Sequence, residues 1–149
     1  MVDKVNDTMT FGALREANRM RLPLFKNKHG QPAHSEPDGS DWSLATWSNA
    51  VLGELGELAN MIKKIERGDM TLDEAREACG KECADIACYL DILAFRLGVD
   101  LGQAVVDKFN EISKRVAAPI FLRQPREGER YSIDRREYAV HDVRLGAKP

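Results

Sequence analysis

Two short acidic motifs are the part of this sequence best suited to chemistry. The first carries Glu54 and Glu57 and the second carries Glu82 and Asp85, each pair spaced E-x-x-[ED]. At about 100° per residue, Glu54 shares a helical face with apolar residues such as Leu58, and Glu82 does the same in its own stretch. An unpaired buried carboxylate is costly, so these acids need metal ions, basic side chains or both. Oxygen ligands of this kind favour Mg²⁺, for which Mn²⁺ can substitute.

Helical periodicity and capping residues predict the elements that must position these acids. The four predicted helices run from Phe11 to Met20, from about Trp42 to Arg67, from the Thr71 cap to Leu97, and from the Asp100 cap to about Ala117. Thr71 and Glu74 form a predicted capping box, and prolines and glycines between residues 23 and 41 predict a loop. Strand signals are weak before residue 118. The expected fold is therefore all-α and resembles a four-helix bundle.

Length and composition predict one domain followed by a tail. Within the 149 residues we expect the catalytic domain to span 1–117, with its core at about 40–117. Residues 118–149 contain six arginines among prolines and glycines and show no helical stripe. This segment is predicted to be an irregular tail that is extended on the surface, contacts a neighbouring subunit or is disordered.

Net charge and cysteine content limit which binding partners and which cellular compartment we expect. A net charge of −2 indicates neither a nucleic acid polymer nor an anionic membrane as partner, and no apolar run is long enough to span a membrane. The three cysteines lie on one predicted helix without the further ligands of a zinc site, which favours reduced thiols and a cytoplasmic location. The three histidines, His29, His34 and His141, are predicted to be solvated surface residues.

The fourth predicted helix carries two cations on its apolar face. Lys108 and Arg115 lie on the same line as Leu101, Val105 and Ile112, so both are expected to point partly inward. They could pair with the acids of the preceding helices or extend to water. Alternatively, acids for metal and cations for phosphate would together hold a metal–polyphosphate complex.

The acidic motifs resemble those of a known family. Residues 47–60 (WSNAVLGELGELAN), followed by Lys63-Lys64 and Arg67-Gly68, resemble the first half of the MazG-type nucleotide pyrophosphohydrolases, and residues 81–93 (KECADIACYLDIL) resemble the second half. Residues 97–101 (LGVDL) and 108–111 (KFNE) are similar to the family's last helix. The resemblance covers about residues 40–117.

The resemblance implies an all-α fold in which two to four chains associate. It also implies Mg²⁺-dependent hydrolysis of a nucleoside triphosphate to the monophosphate and pyrophosphate. The metal ligands carried over by motif are Glu54, Glu57, Glu82 and Asp85, and the residues carried over for phosphate are Lys108 and Asn110. We add Arg115 to the phosphate-binding residues because of its helical face.

The residue types are consistent with attack of metal-activated water at the α-phosphorus. Glu54 or Glu57 could accept the proton of that water. No G-x-x-x-x-G-K-[ST] motif is present, which disfavours chemistry at the γ-phosphorus. For the base or sugar, Trp42 and Trp47 could stack, although core or interface anchoring is the commoner role. Asp91 could hydrogen-bond a base or sugar, or form a surface salt bridge.

Two other classes of helical protein compete with this interpretation. A catalytically silent nucleotide-binding or regulatory helical oligomer would keep the cations but would not need all four acids. A di-iron carboxylate bundle requires E-x-x-H pairs, and neither motif here ends in histidine. The sequence therefore favours the pyrophosphohydrolase.

Overall fold

The computed structural model describes residues 9–34 and 36–125, and this part of the chain is all-α, as predicted. Its helices are α1 (Phe11–Arg21), α2 (Leu44–Glu66), α3 (Leu72–Arg96) and α4 (Leu101–Arg115). Residues 118–125 of the predicted tail form neither helix nor strand, and residues 126–149 lie outside the described range. No helix among the described residues is both long and apolar enough to cross a membrane.

The helix starts follow from the capping residues in the sequence. The Thr10 hydroxyl accepts from the Ala13 N–H at 3.0 Å, and the Asp100 carboxylate caps α4 in the same way. At the start of α3 the capping box is complete, because Thr71 and Glu74 each accept from the other's backbone N–H. Gly68 and Gly98, both at positive φ, follow the ends of α2 and α3.

The second helix begins later than its sequence pattern predicts. Trp42 lies in the turn before α2, and Ser43 caps the helix by accepting from the Thr46 N–H at 3.1 Å. The helix starts there because the serine hydroxyl satisfies a free backbone donor of the first turn. The predicted start, about Trp42, lies two residues before the observed one.

An antiparallel hairpin of α2 and α3 forms the body of the fold. The two helices are joined by residues 67–71 and pack along their length, while α1 packs on α3. At the open end of the hairpin, Leu22, Trp47 and Ile92 form the buried cluster, against which Tyr89 packs. The fourth helix touches α1 and α3 and makes no contact with α2 in the described part of the chain.

One buried carboxylate joins α1 to α3. Asp91 is fully buried and receives the Arg15 guanidinium on both oxygens, at 2.9–3.1 Å. The amide nitrogen of Asn18 donates to the same carboxylate at 3.0 Å. Because both donors are on α1, this network fixes how α1 lies on the hairpin.

We predict that Asp91→Ala lowers the free energy of unfolding by about 3–5 kcal/mol, because it leaves buried polar groups of Arg15 and Asn18 unpaired. Urea denaturation followed by helical circular dichroism measures the loss. Asp69→Ala is the control, since it removes an exposed ion pair with Arg67 and should cost less than about 1 kcal/mol. Equal losses in the two variants would contradict the role given to Asp91.

Candidate metal centre

The α2–α3 hairpin brings three of the predicted metal ligands together. One carboxylate oxygen from each of Glu54, Glu82 and Asp85 lies within 4.8 Å of the other two. Glu54 comes from α2 and the other two from α3, where a spacing of three residues places both on one face. This cluster of acids could hold a divalent metal ion, and an all-oxygen donor set suits Mg²⁺ or Mn²⁺.

The fourth predicted ligand, Glu57, lies beside this cluster rather than within it. Its side chain is exposed one helical turn after Glu54. The negative charge of Glu57 nevertheless contributes to raising the pKa of Glu54, so the two carboxylates are close enough to repel. Glu57 is thus near the candidate centre, outside the group of oxygens that lie within 4.8 Å of one another.

Glu54 is the acid whose electrostatics are most perturbed. Its pKa is raised above the ordinary 4.5, first by desolvation and then by the charge of Asp85 and a hydrogen bond with Glu82. The cluster therefore carries more negative charge than its surroundings balance, and a bound cation would relieve this repulsion.

A cavity of about 260 Å³ adjoins the acids. Glu54 and Asp85 lie at its wall, and the remaining lining comes from α1, from the loop after it and from α3. The lining includes the aromatic residues Phe25, His34 and Tyr89 and the polar residues Asn18 and Arg21. A ligand in this cavity would contact carboxylates, a guanidinium and aromatic rings at once.

Tyr89 lines the cavity, and the charges of two of the acids act on its phenol. The pKa of its phenol is raised by burial and then by the charges of Glu54 and Asp85, while the charge of Arg21 acts in the opposite direction. The Tyr89 phenol is therefore close enough to the acidic cluster and to the Arg21 guanidinium for the charges of both to act on its pKa.

His34 is buried, contrary to its prediction as a surface residue. Its ring stacks on Trp47 with centroids 5.3 Å apart, and its Nδ1 lies 3.3 Å from a carboxylate oxygen of Asp41. The loop folds back over the end of the hairpin, which no periodic sequence pattern indicates. Of the other two histidines, His29 is exposed and His141 lies outside the described residues.

The two tryptophans are core residues of the open end of the hairpin. Trp47 is fully buried and its indole N–H donates to the Gly39 carbonyl at 2.8 Å. A base cannot stack on it in this conformation, so the structure favours anchoring, the alternative role predicted for it. Trp42 is half-buried and packs against His34 and Trp47 at 4.5–4.6 Å between ring centroids.

Asp91 is not available to a base or sugar. Both of its oxygens are engaged by Arg15 and Asn18, and the residue has no exposed surface. The ligand role predicted for Asp91 is replaced by a salt bridge, and that bridge is buried rather than on the surface. Asp91 therefore marks a contact between α1 and α3.

Lys108 and Arg115, the two cations of α4, were predicted to point partly inward, and they do not. Lys108 is exposed and pairs with Glu111 on its own helix at 2.6 Å, and Arg115 is also exposed. The side-chain nitrogen of Asn110 donates to the Leu122 carbonyl, and its side-chain oxygen accepts from the Leu122 N–H, each at 2.8 Å. Because α4 does not contact α2, none of these three groups is brought to Glu54 within the described chain.

Comparisons with protein-family models, curated proteins and solved structures find no match to this chain. The resemblance to MazG-type pyrophosphohydrolases therefore depends on the sequence motifs, and the geometry of the acidic cluster is an independent observation.

We predict that Glu54→Gln raises the melting temperature of the metal-free protein by a few degrees at pH 7. An acid whose folded pKa is raised destabilises the fold above that pKa, and the penalty vanishes below the ordinary 4.5, where both states are protonated. The gain should therefore shrink as the pH falls through this range. Thermal melts in chelator measure it.

Glu77→Gln is the control for this melt, because Glu77 is an exposed acid of α3 that pairs with Lys81. It should not raise the melting temperature. A Glu54→Gln protein that melts at or below the wild-type temperature at pH 7 would contradict the repulsion we describe.

Proposed function

We propose that this protein is a metal-dependent nucleoside triphosphate pyrophosphohydrolase that releases the monophosphate and pyrophosphate. The observation that carries the proposal is the cluster of Glu54, Glu82 and Asp85 at the wall of a cavity large enough for part of a nucleotide. The motif resemblance to MazG-type enzymes supports the same assignment.

The proposed cofactor is Mg²⁺, or Mn²⁺ in its place. When bound, the ion would activate water and neutralise phosphoryl charge. The metal ligands in this proposal are Glu54, Glu82 and Asp85, with Glu57 beside them. Glu54, one of the clustered acids, is the first candidate for accepting the proton of that water. Glu57 is the second candidate for this role.

We predict hydrolysis of at least one member of a panel of canonical and modified nucleoside triphosphates with Mg²⁺, scored for monophosphate and pyrophosphate. Activity should disappear in excess EDTA and return with Mg²⁺ or Mn²⁺. Asp85→Asn should lower kcat by about 100-fold or more, because it removes a ligand charge from the centre. The helical circular dichroism of the variant should match the wild type.

The matched control is Glu77→Gln, which neutralises an exposed acid of the same helix outside the cluster. It should keep wild-type kcat. Full turnover in EDTA after metal stripping would refute metal dependence. Nucleotide binding without hydrolysis of any panel member would instead support a catalytically silent nucleotide-binding protein.

The working unit in this proposal is a homo-oligomer. The described chain has only a small buried core, and large apolar side chains stay exposed along two helices. On α2 these are Leu52, Leu55 and Ile62, with 59%, 48% and 44% exposure, at helical spacing on one side. The corresponding stripe on α4 consists of Val105, Phe109 and Ile112 and is continued by Val116 directly after the helix. Apolar stripes of this length are typical of helices that pack against another copy.

We predict that light scattering at micromolar concentration gives a dimer or tetramer and that Leu55→Asp shifts it towards monomer. A charge in an apolar interface is costly to desolvate. Asn60→Asp is the matched control, because Asn60 is exposed on the same helix roughly 140° away from Leu55. An active wild-type monomer would refute the proposal.

The cytoplasmic location is also part of this proposal. All three cysteines of the chain are free, although Cys79 and Cys83 lie one turn apart on α3. Free thiols in this arrangement fit a reducing compartment.

A further inference from the structure

The cavity beside the acidic cluster contains a cation that the sequence motifs did not indicate. Arg21, in the last turn of α1, lines the cavity together with Glu54 and Asp85. Its last-turn position alone would be explained by the helix dipole. The contacts of the Arg21 side chain point to a more specific role.

The guanidinium of Arg21 is held by a buried amide. Its Nη2 donates to the Oδ1 of Asn18 at 3.2 Å, and Asn18 is only 2% exposed. The amide nitrogen of Asn18 donates to Asp91 and to the Cys88 carbonyl, which leaves its oxygen to accept from Arg21. The Arg21 guanidinium also lies over the Phe25 ring at 5.6 Å from its centroid. These contacts orient the side chain without neutralising its charge.

The charge of Arg21 has no acidic partner in the described residues. The nearby arginines of α1 do have one, since Arg15 pairs with Asp91 and Arg19 with Glu16. Within residues 9–34 and 36–125, Arg21 forms no ion pair within 4 Å, although it lines the same cavity as two carboxylates. The guanidinium is held in a fixed orientation and lines the same cavity as two acids of the cluster. This arrangement suits a ligand that is bound to a metal ion at one end and presents anionic oxygens at the other.

We infer that Arg21 binds phosphate oxygens of the triphosphate substrate in this cavity, an inference that rests on the proposed function. Its planar guanidinium retains N–H donors that can contact two oxygens at once, as phosphate recognition requires. Asn18 is a positioning residue in this arrangement. Arg21 thereby takes the phosphate-binding role predicted for Lys108 and Arg115, because Arg21 lines the cavity beside the acids while those two lie on α4, which does not contact α2 in the described chain.

The test uses Arg21→Gln, Arg21→Lys and the matched control Arg19→Ala in the full chain. Glutamine keeps a donor for Asn18 while removing the charge, which protects the fold. Arg19 lies two residues earlier on α1, pairs with Glu16 and does not line the cavity. Three quantities are measured: Mn²⁺ affinity by electron paramagnetic resonance, the Kd for Mg²⁺–pyrophosphate by calorimetry, and kcat/KM on the triphosphate that the panel identifies.

We expect Arg21→Gln to weaken pyrophosphate binding by at least about tenfold and to lower kcat/KM by about 100-fold, with Mn²⁺ affinity unchanged. Arg21→Lys should fall between this variant and the wild type, because lysine keeps the charge but loses the planar donor pair. Arg19→Ala should match the wild type in all three measurements.

The outcomes separate this inference from the function on which it rests. A wild type that hydrolyses a triphosphate, with Arg21→Gln equal to it in kcat/KM and in pyrophosphate affinity, would overturn the role of Arg21 and leave the proposed function standing. A wild type that binds neither Mn²⁺ nor Mg²⁺–pyrophosphate and hydrolyses nothing would overturn both.

Discussion

The arrangement of this molecule depends on one buried carboxylate, that of Asp91. Two side chains of α1, Arg15 and Asn18, converge on it, so the first helix can lie on the α2–α3 hairpin in only one register. That register places the end of α1 and Arg21 across a cavity from the acids. Asp91, about one and a half turns beyond the second acidic motif on α3, therefore acts on the site indirectly, by fixing the helix that contributes Asn18 and Arg21 to the cavity.

Much of the fold was predictable from the sequence because local physics determines it. Helix starts depend on side chains within three residues of the first turn, as at Thr71, and helix ends on glycines such as Gly68. The meeting of Glu54 with Glu82 was also predictable, because helical periodicity places both on faces shared with apolar residues and a short connection makes the two helices neighbours.

What the sequence could not predict depends on contacts between distant segments. An amphipathic α4 has an apolar face, but periodicity does not say what covers it, and Lys108 proved to be exposed. The burial of His34 requires the loop to fold over Trp47, and loops carry no periodic signal. Arg21 is inconspicuous in sequence because basic residues are common in last turns. Each case is decided by tertiary packing.

The central claim is that water activated at the Glu54, Glu82 and Asp85 cluster attacks the α-phosphorus of a nucleoside triphosphate. Turnover in oxygen-18-labelled water tests it most directly, with mass spectrometry of the separated products. Our account predicts one labelled oxygen in the nucleoside monophosphate and none in the pyrophosphate. Label in free orthophosphate, with nucleoside diphosphate accumulating, would contradict it.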